Sequence, residues 1–474
     1  MRFIKNLFSF IFLTSFLHST DAQETWDWER CLQYAYENNL QLKSDAINIA
    51  LSELQVKQDR LNLTPFVQAD AGYNYAVGRT VDMSTYQYVT KPVNTGNLQV
   101  SLNQPIFQGL KNLNALKKSK IDLQASQLDN ETLKMNIQLQ LLNAYLNILN
   151  AQEQVQQAKD QLARSQEQYQ NNQNLAKGGA LAERMLVDNE AQLASDEYTI
   201  IQLQQQVQLA YMALKTILQL DLNQEIQIVN PISDDPINPF DLESVESIYQ
   251  KASNTRPDIE AADVRIKSSE LGVKIAKSAY YPQLSFFSGI GTNISDQFKE
   301  TTISGSVETP IGYIKSSGEA VYTLYPSSNT VSVPFGKQFN NNMSYAIGLN
   351  LSVPIYNRRA GYLSSQRARL ALEQSKLNGE NINYSLMNDI KSAHLKASTS
   401  EQNFKAAQKN TIAAEKSYEF AQDRLSNGAI SQLELNLAQN NLLIAESRMT
   451  QAKYEYIFNS KVLDFYSGKM IDFK

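Results

Sequence analysis

Residues able to do covalent or acid–base chemistry are scarce in these 474 residues. Histidine occurs only at His18 and His394, and the single cysteine is Cys31. Two imidazoles so far apart cannot assemble a His-based metal cluster or triad, and no Gly-Xaa-Ser-Xaa-Gly, HExxH or paired CxxC spacing occurs. Gly289-Ile290-Gly291 lacks the rest of a nucleotide loop and suits a barrel strand better. One cysteine cannot make an internal disulfide. On the amphipathic stretch that begins at Trp28, Cys31 reads as a small buried residue. The sequence thus predicts no catalytic residue, no metal, no cofactor and no enzyme. With 43 Lys and Arg against 48 Asp and Glu (net charge −5), no basic face marks a nucleic-acid partner.

The elements that could carry another kind of function begin after residue 22. Arg2 and Lys5, the apolar run Leu7 to Leu17 and the small polar stretch to Ala22 form the three parts of a secretory signal peptide. Its removal (residues 1–22) leaves a net charge of −6. Beyond it no run of eighteen apolar residues occurs, so no membrane-spanning helix is expected. A membrane role has to come from strands closed into a barrel.

The chain also repeats itself. LSELQVKQDRLNLTP (51–65) aligns with SSELGVKIAKSAYYP (268–282) at an offset of 217. LNQPIF (102–107) aligns with LSVPIY (351–356) at an offset of 249, and the same offset places Gly179 on Gly428. Pro105 to Gly179 and Pro354 to Gly428 both span 74 residues, whereas Pro65 to Pro105 is 40 and Pro282 to Pro354 is 72. One stretch is constant, as a rod requires; the other varies, as a surface loop can. The expected organisation is a first repeat over 23–230, a linker over 231–241 with Pro231, Pro236 and Pro239, and a second repeat over 242–474.

Beside the prolines the pattern has period two. From Phe66 to Val77, Val67, Ala69, Ala71, Tyr73, Tyr75 and Val77 alternate with Gln68, Asp70, Gly72 and Asn74; Leu98, Val100 and Leu102 do so with Asn97, Gln99, Ser101 and Asn103. Leu284, Phe286 and Ile290, and Met343 to Val353, repeat this in the second half. Such segments are strands with one apolar and one wet face. Four strands cannot close a barrel, and an open sheet in lipid leaves its edges unpaired. Copies must combine. Two would give about eight strands and a filled interior, whereas three give about twelve and a wide wet lumen. A long Ser-, Thr-, Gly- and Tyr-rich loop, about 294–342, is expected to face outside.

The rest is helical. Leu110 to Ala176 holds neither proline nor glycine and is rich in Leu, Ala and Gln. Leu181 to Leu220, Tyr362 to Leu425 and Ile430 to Phe465 continue the pattern, with shorter segments at 28–62 and 242–280. Leu128, Leu133, Ile137, Leu141, Tyr145, Ile148 and Val155 recur at helical spacing. Each long pair turns at a glycine, Gly179 or Gly428, the usual stop residue of a helix.

These features together resemble the TolC-type outer-membrane efflux protein family. The resemblance covers nearly all of the chain after residue 22. It rests on Trp28-Glu29-Arg30-Cys31-Leu32 with Tyr34-Ala35 and Glu37-Asn38-Asn39, on Arg256-Pro257-Asp258-Ile259 with Ala261-Ala262, on the Pro-Ile-Phe and Pro-Ile-Tyr strand ends, and on the glycine tips. It implies a mainly α fold with a trimeric 12-strand β-barrel in the outer membrane of a Gram-negative bacterium. A long α-helical barrel would continue it into the periplasm. The implied role is the exit duct of a tripartite efflux or type I secretion system. The implied partners are two further copies of the chain, outer-membrane lipid, an inner-membrane transporter and a periplasmic adaptor. The adaptor would dock on the tips Gly178, Gly179, Ala180, Leu181 and Asn427, Gly428, Ala429, Ile430. The family narrows its mouth with carboxylates just past the tip glycine. Glu434, six residues past Gly428, matches; Met185, six past Gly179, does not, and Leu437 stands where a second acid is expected. Glu183, Asp188 and Asp423 are further candidates for the constriction, and Arg184 and Arg424 for ion pairs that close it. The rival reading, a periplasmic coiled-coil adaptor or scaffold, explains the helices but neither the two hairpins nor the strands.

Overall fold

The structure is a computed structural model. It describes residues 24–81, 86–90, 92–178, 183–231, 243–469, 471 and 473. The expected signal peptide and most of the expected linker (232–241) lie outside the described residues.

The first half begins with a short strand β1 (Glu24–Trp26), α1 (Trp28–Asn38) and α2 (Leu40–Leu61). Strands β2 (Phe66–Ala76), β3 (Arg79–Val81), β4 (Tyr88–Thr90) and β5 (Val93–Gln108) follow, then the long helices α3 (Lys111–Lys177) and α4 (Glu183–Leu218), and strand β6 (Ile226–Ile228). The second half holds α5 (Val245–Thr255), α6 (Pro257–Lys277), β7 (Gln283–Ser295), β8 (Lys299–Tyr313), β9 (Ala320–Ser332), α7 (Phe335–Asn341), β10 (Ser344–Ser352), α8 (Ala360–Ser426) and α9 (Gln432–Tyr466). No described helix is long and apolar enough to cross a membrane.

Element bounds recur at the two sequence offsets. α1 and α5 have 11 residues each and start 217 apart; α3 and α8 have 67 each and start 249 apart. At about 1.5 Å per residue, each of the latter reaches about 100 Å. The stretch read as one helix over 28–62 is broken at Asn39, whose backbone is extended and whose Oδ1 accepts from the N–H of Gln41 (2.9 Å) and Leu42 (3.3 Å), capping α2. The same break recurs 217 residues later at Arg256, followed by Pro257, which needs no N–H partner in a first helical turn. Arg256 grips Asp258 through two bonds of 3.0 and 2.8 Å and lies over Phe465 and Tyr466. The Arg-Pro-Asp motif is thus a helix start tied to α9.

One compact unit takes in residues up to Ala50, Gln124–Asp263 and Leu377–Lys474. Its core gathers Trp28, Cys31 and Ala35 of α1, Ile137, Leu141, Tyr145 and Ile148 of α3, Leu214 and Leu218 of α4, and Ile457 and Phe465 of α9. A second cluster places Ile248 and Ala252 of α5 on Leu386, Ile390, Ala393 and Ala397 of α8. Leu141 and Ile390, 249 apart, are both fully buried. Burial pushes the Cys31 thiol up to about 12, with Asp27 adding to the effect, so it is inert as a nucleophile. Trp28 Nε1 donates to Ile471 O at 3.1 Å, and the Tyr145 hydroxyl donates to Val229 O.

The other unit, Leu51–Leu123 with Val264–Lys376, carries the sheet. Its order is β10-β7-β5-β2, every neighbour antiparallel. The register lines up Ala69, Val100, Ile290 and Tyr345, and in the same way Val67, Leu102, Ser288 and Ile347, so the apolar faces join across all four strands. That face is open: Tyr73, Tyr345 and Ile347 are each about three-quarters exposed (74–76%). Two expectations need correction. β5 does not stop at Pro105; it runs on to Gln108 through a register shift between Pro105 and Phe107, which absorbs the missing proline N–H. The segment 294–342 is not a plain loop: β8 and β9 pair as a long hairpin and α7 follows. Shifts at Ile303/Gly305 and Pro310/Gly312 change the parity of its side chains and hide the alternation. Buried Gln338 of α7 rivets this segment to Ser295, donating to its carbonyl (2.8 Å) and accepting its N–H (2.7 Å).

Candidate functional site

The α8–α9 tip is built by two caps. Gly428 has φ +71°; its N–H donates to Leu425 O (2.9 Å) and the Ala429 N–H to Arg424 O (2.8 Å). This paired closure satisfies the last carbonyls of α8 and requires a left-handed residue, for which glycine is suited. The chain re-enters a helix at Ser431, whose Oγ accepts the Glu434 N–H at 3.4 Å. The Ser-Xaa-Xaa-Glu spacing is that of a capping box, and Glu434 sits in the first turn, where the helix dipole favours a carboxylate. Asn427, Gly428 and Ala429 are exposed and Ile430 is half-buried; Glu434 and Asp423 are exposed. The backbone carbonyl of Asp423 accepts from Ser426 Oγ and Asn427 Nδ2, both at 2.8 Å.

At the α3–α4 tip Gly178 closes the helix through its N–H to Asn174 O (3.2 Å). Gly179, Ala180 and Leu181 lie outside the described residues, as does the side chain of Glu183. Arg184 and Asp188 are exposed. Met185, the counterpart of Glu434, lines a cavity of about 430 Å³ with Leu175, Tyr418, Leu425 and Leu435. An apolar side chain there forms part of the cavity wall instead of adding a carboxylate. Asn172 Nδ2 bridges the two hairpins by donating to Gln432 Oε1 (3.4 Å). Among the described residues of one chain, no ion pair or hydrogen bond joins the side chains of Glu434, Asp423 and Asp188 to one another or to Arg184 or Arg424.

Away from the tips, two polar layers that sequence reasoning missed tie the hairpins together. In the first, Arg164 of α3 meets Glu446 of α9 at 3.5 Å and Gln161 at 3.2 Å. Beside it, buried Ser165 donates to Asp196 of α4 (2.6 Å) and accepts from Gln439 of α9 (3.3 Å). Burial raises the Glu446 carboxyl, with Arg164 working against it. In the second, Glu153 of α3 accepts from Tyr454 (2.8 Å) and Thr450 (3.4 Å) of α9, while Gln157 donates to Thr450 at 2.6 Å. Sequence separations near 300 leave no local signal for such pairs. These layers are mostly hydroxyls and amides, with Arg164, Glu446, Asp196 and Glu153 among them. They can fix helix register.

Solved structures share this architecture. CusC matches with a TM-score of 0.75 at 16% identity, over 94% of this chain and 92% of that one. The CmeC outer membrane channel of Campylobacter jejuni gives 0.71 at 21%, over 93% and 85%. The outer membrane protein VceC of Vibrio cholerae gives 0.72 at 14%, over 94% and 97%. No curated protein sequence matches the chain. The fold is therefore that of outer-membrane channel proteins. The sequence profile of the family described as outer membrane efflux protein matches residues 31–219 and 248–469, and the chain belongs to that family. It is an outer-membrane protein of efflux, and family and fold are those of channels rather than enzymes.

Proposed function

We propose that three copies form one duct, the exit path of a tripartite efflux or type I secretion system. The observation that carries this is the sheet. It has a continuous exposed apolar face, and its outer strands β2 and β10 have no partner on their outer edges among the described residues. In lipid such edges are prohibitively costly. The strands alternate in direction from β2 to β10, so β10 of one copy can receive β2 of the next in antiparallel sense, and the ring closes. Three copies give about twelve strands, enough for an aqueous lumen. The mass of the detergent-solubilised protein, by light scattering corrected for detergent, is expected at three chains. A stable, folded monomer overturns the reading.

In this duct the tips Gly178–Leu181 and Asn427–Ile430 face an adaptor that links them to an inner-membrane transporter. Glu434, present three times, narrows the mouth and draws cations, with Asp423, Asp188 and Glu183 as lesser contributors. Support for Glu434 is its exposure at the start of α9, beside the tip. Bilayer conductance of Glu434→Gln is expected to show reduced cation selectivity and weaker divalent-ion block. Unchanged values leave Glu434 as a first-turn carboxylate favoured by the helix dipole alone.

A further inference from the structure

The place where the second hairpin meets the helices carries charge of one sign beside tyrosine. A cavity of about 280 Å³ is lined by Lys277, Arg369, Tyr280, Tyr281 and Tyr362 together with neutral side chains, and no carboxylate lines it. The three tyrosines are about half exposed (51–52%). The segment Ser278–Tyr281 is wedged between two chain corners: Tyr280 lies against Gly361, and Tyr281 against Gly109. At the corner before Gly361 stand Arg358 and Arg359, both exposed and both left-handed, with φ of 54° and 60°. The matching corner of the first half has Gly109 and Leu110, at 60° and 63°. Left-handed backbone is unfavourable for arginine, yet two stand in a row. Just before them Val353, Ile355 and Tyr356 are more than half exposed (54–96%). The surface therefore passes from apolar to aromatic to basic within a few residues, the layering of a lipid–water boundary.

The other half repeats the charges. Arg60 stands 217 before Lys277 and Lys120 stands 249 before Arg369, both exposed, whereas the positions of Tyr280, Tyr281 and Tyr362 hold Leu63, Thr64 and Leu113. The cation pair occurs at both corners; the tyrosine hydroxyls only at the second.

We propose that Lys277 and Arg369, with Tyr280, Tyr281 and Tyr362, form a site for the phosphate headgroup of an anionic phospholipid in the periplasmic leaflet. Arg358 and Arg359 add to its field. The two cations face the phosphate oxygens, the hydroxyls donate to them, and the acyl chains lie along the apolar face that begins at Leu351 and Val353. This rests on the barrel reading above.

Native mass spectrometry of the full-length protein, released from detergent with added phosphatidylglycerol or phosphatidylcholine, reads assembly and lipid count together. Wild type is expected to retain phosphatidylglycerol in preference to phosphatidylcholine. Lys277→Gln with Arg369→Gln should weaken that retention roughly thirtyfold, the effect of two basic residues at a lipid surface. Lys277→Arg with Arg369→Lys should keep it. Equal retention by wild type and the double Gln variant, as intact trimers, overturns the site and leaves the barrel standing. Displacement of the lipid by millimolar inorganic phosphate also overturns it, since the site then reads a free anion. Wild type seen only as monomer overturns the barrel reading itself.

Discussion

α3 and α8 are equal at 67 residues, whereas the connections across the sheet are not: β3 and β4 have three residues each, β8 and β9 have 15 and 13. The difference shows what each region answers to. The helices of both halves must reach the same level, because Asn172 near one tip bonds Gln432 near the other and the Arg164 and Glu153 layers tie α3 to α9. A change of length in one hairpin alone slides every such contact out of register. The hairpin of β8 and β9 is almost wholly exposed, held at its base by Gln338 and a Lys337–Glu300 pair of 2.5 Å. Among the described residues, no partner beyond that base constrains its length.

The severest way to test that contrast is to shorten α8 and α9 by seven residues each, leaving α3 and α4 intact. Two turns are about 10 Å. Assembly should be lost, as judged by light-scattering mass, and restored when α3 and α4 are cut by the same amount. Deleting residues 304–327, the outer part of the β8–β9 hairpin, should leave assembly intact. If the one-hairpin cut assembles normally, the equality of α3 and α8 is not a length constraint.

Next in size, Leu141→Ala and Ile390→Ala probe equivalent core positions, both at 0% exposure. Each should cost about 2–5 kcal/mol, the usual result of truncating a buried aliphatic side chain, read as a fall in thermal midpoint of the detergent-solubilised protein. Similar losses at both mean that the two cores bear equal loads. A loss confined to Leu141 would mean that the first half, with Trp28 and Tyr145 against it, carries the stability.

Much of the element pattern was legible in the sequence. The helix-period apolar residues Ile137, Leu141, Tyr145 and Ile148 are buried where their spacing places them. The alternation over 66–77 and 343–353 is strand at Phe66–Ala76 and Ser344–Ser352. β8 and β9 were not legible, because two register shifts break period two and Ser and Thr dilute the apolar face. Nor was the partner of Glu446: it lies 282 residues away in sequence, and only packing of α3 on α9 brings Arg164 to it. At the tips, the glycine stop at Gly428 was readable from residue type, whereas the place of Met185 in a cavity wall with Leu435 needed three dimensions.

A smaller effect tests whether the Arg164 layer is stabilising or only specifying. Burial raises the Glu446 carboxyl above its ordinary 4.5. The folded state then holds a proton that the unfolded state has released, so stability falls as pH rises from about 4.5 through the raised value. The side chains are 23% and 29% exposed, so screening keeps the effect modest. Glu446→Gln should flatten this part of the pH–stability profile and shift stability at pH 7 by less than about 1 kcal/mol, the range of an ion pair that solvent still screens. A loss of several kcal/mol would show that the pair itself holds the hairpins together.

The smallest effect lies where the halves differ by one residue. α4 and α9 both end in a paired closure around a left-handed residue, Gln219 (φ 58°) in one case and Gly468 (φ 79°), 249 positions later, in the other. Leu220 N–H donates to Lys215 O and Lys469 N–H to Asp464 O, both at 3.0 Å, so the backbone task is the same. A left-handed non-glycine residue costs about 1–2 kcal/mol. Gln219 offsets part of that: its Nε2 donates to Thr216 O at 2.9 Å, and glutamine loses less backbone entropy on folding than glycine. Gln219→Gly should therefore change stability by less than about 0.5 kcal/mol, because relief of strain, loss of the bond and added chain entropy nearly cancel. Gly468→Gln should cost about 1 kcal/mol. A clear gain from Gln219→Gly would show that the side-chain bond contributes little and that the first half carries uncompensated strain at this cap.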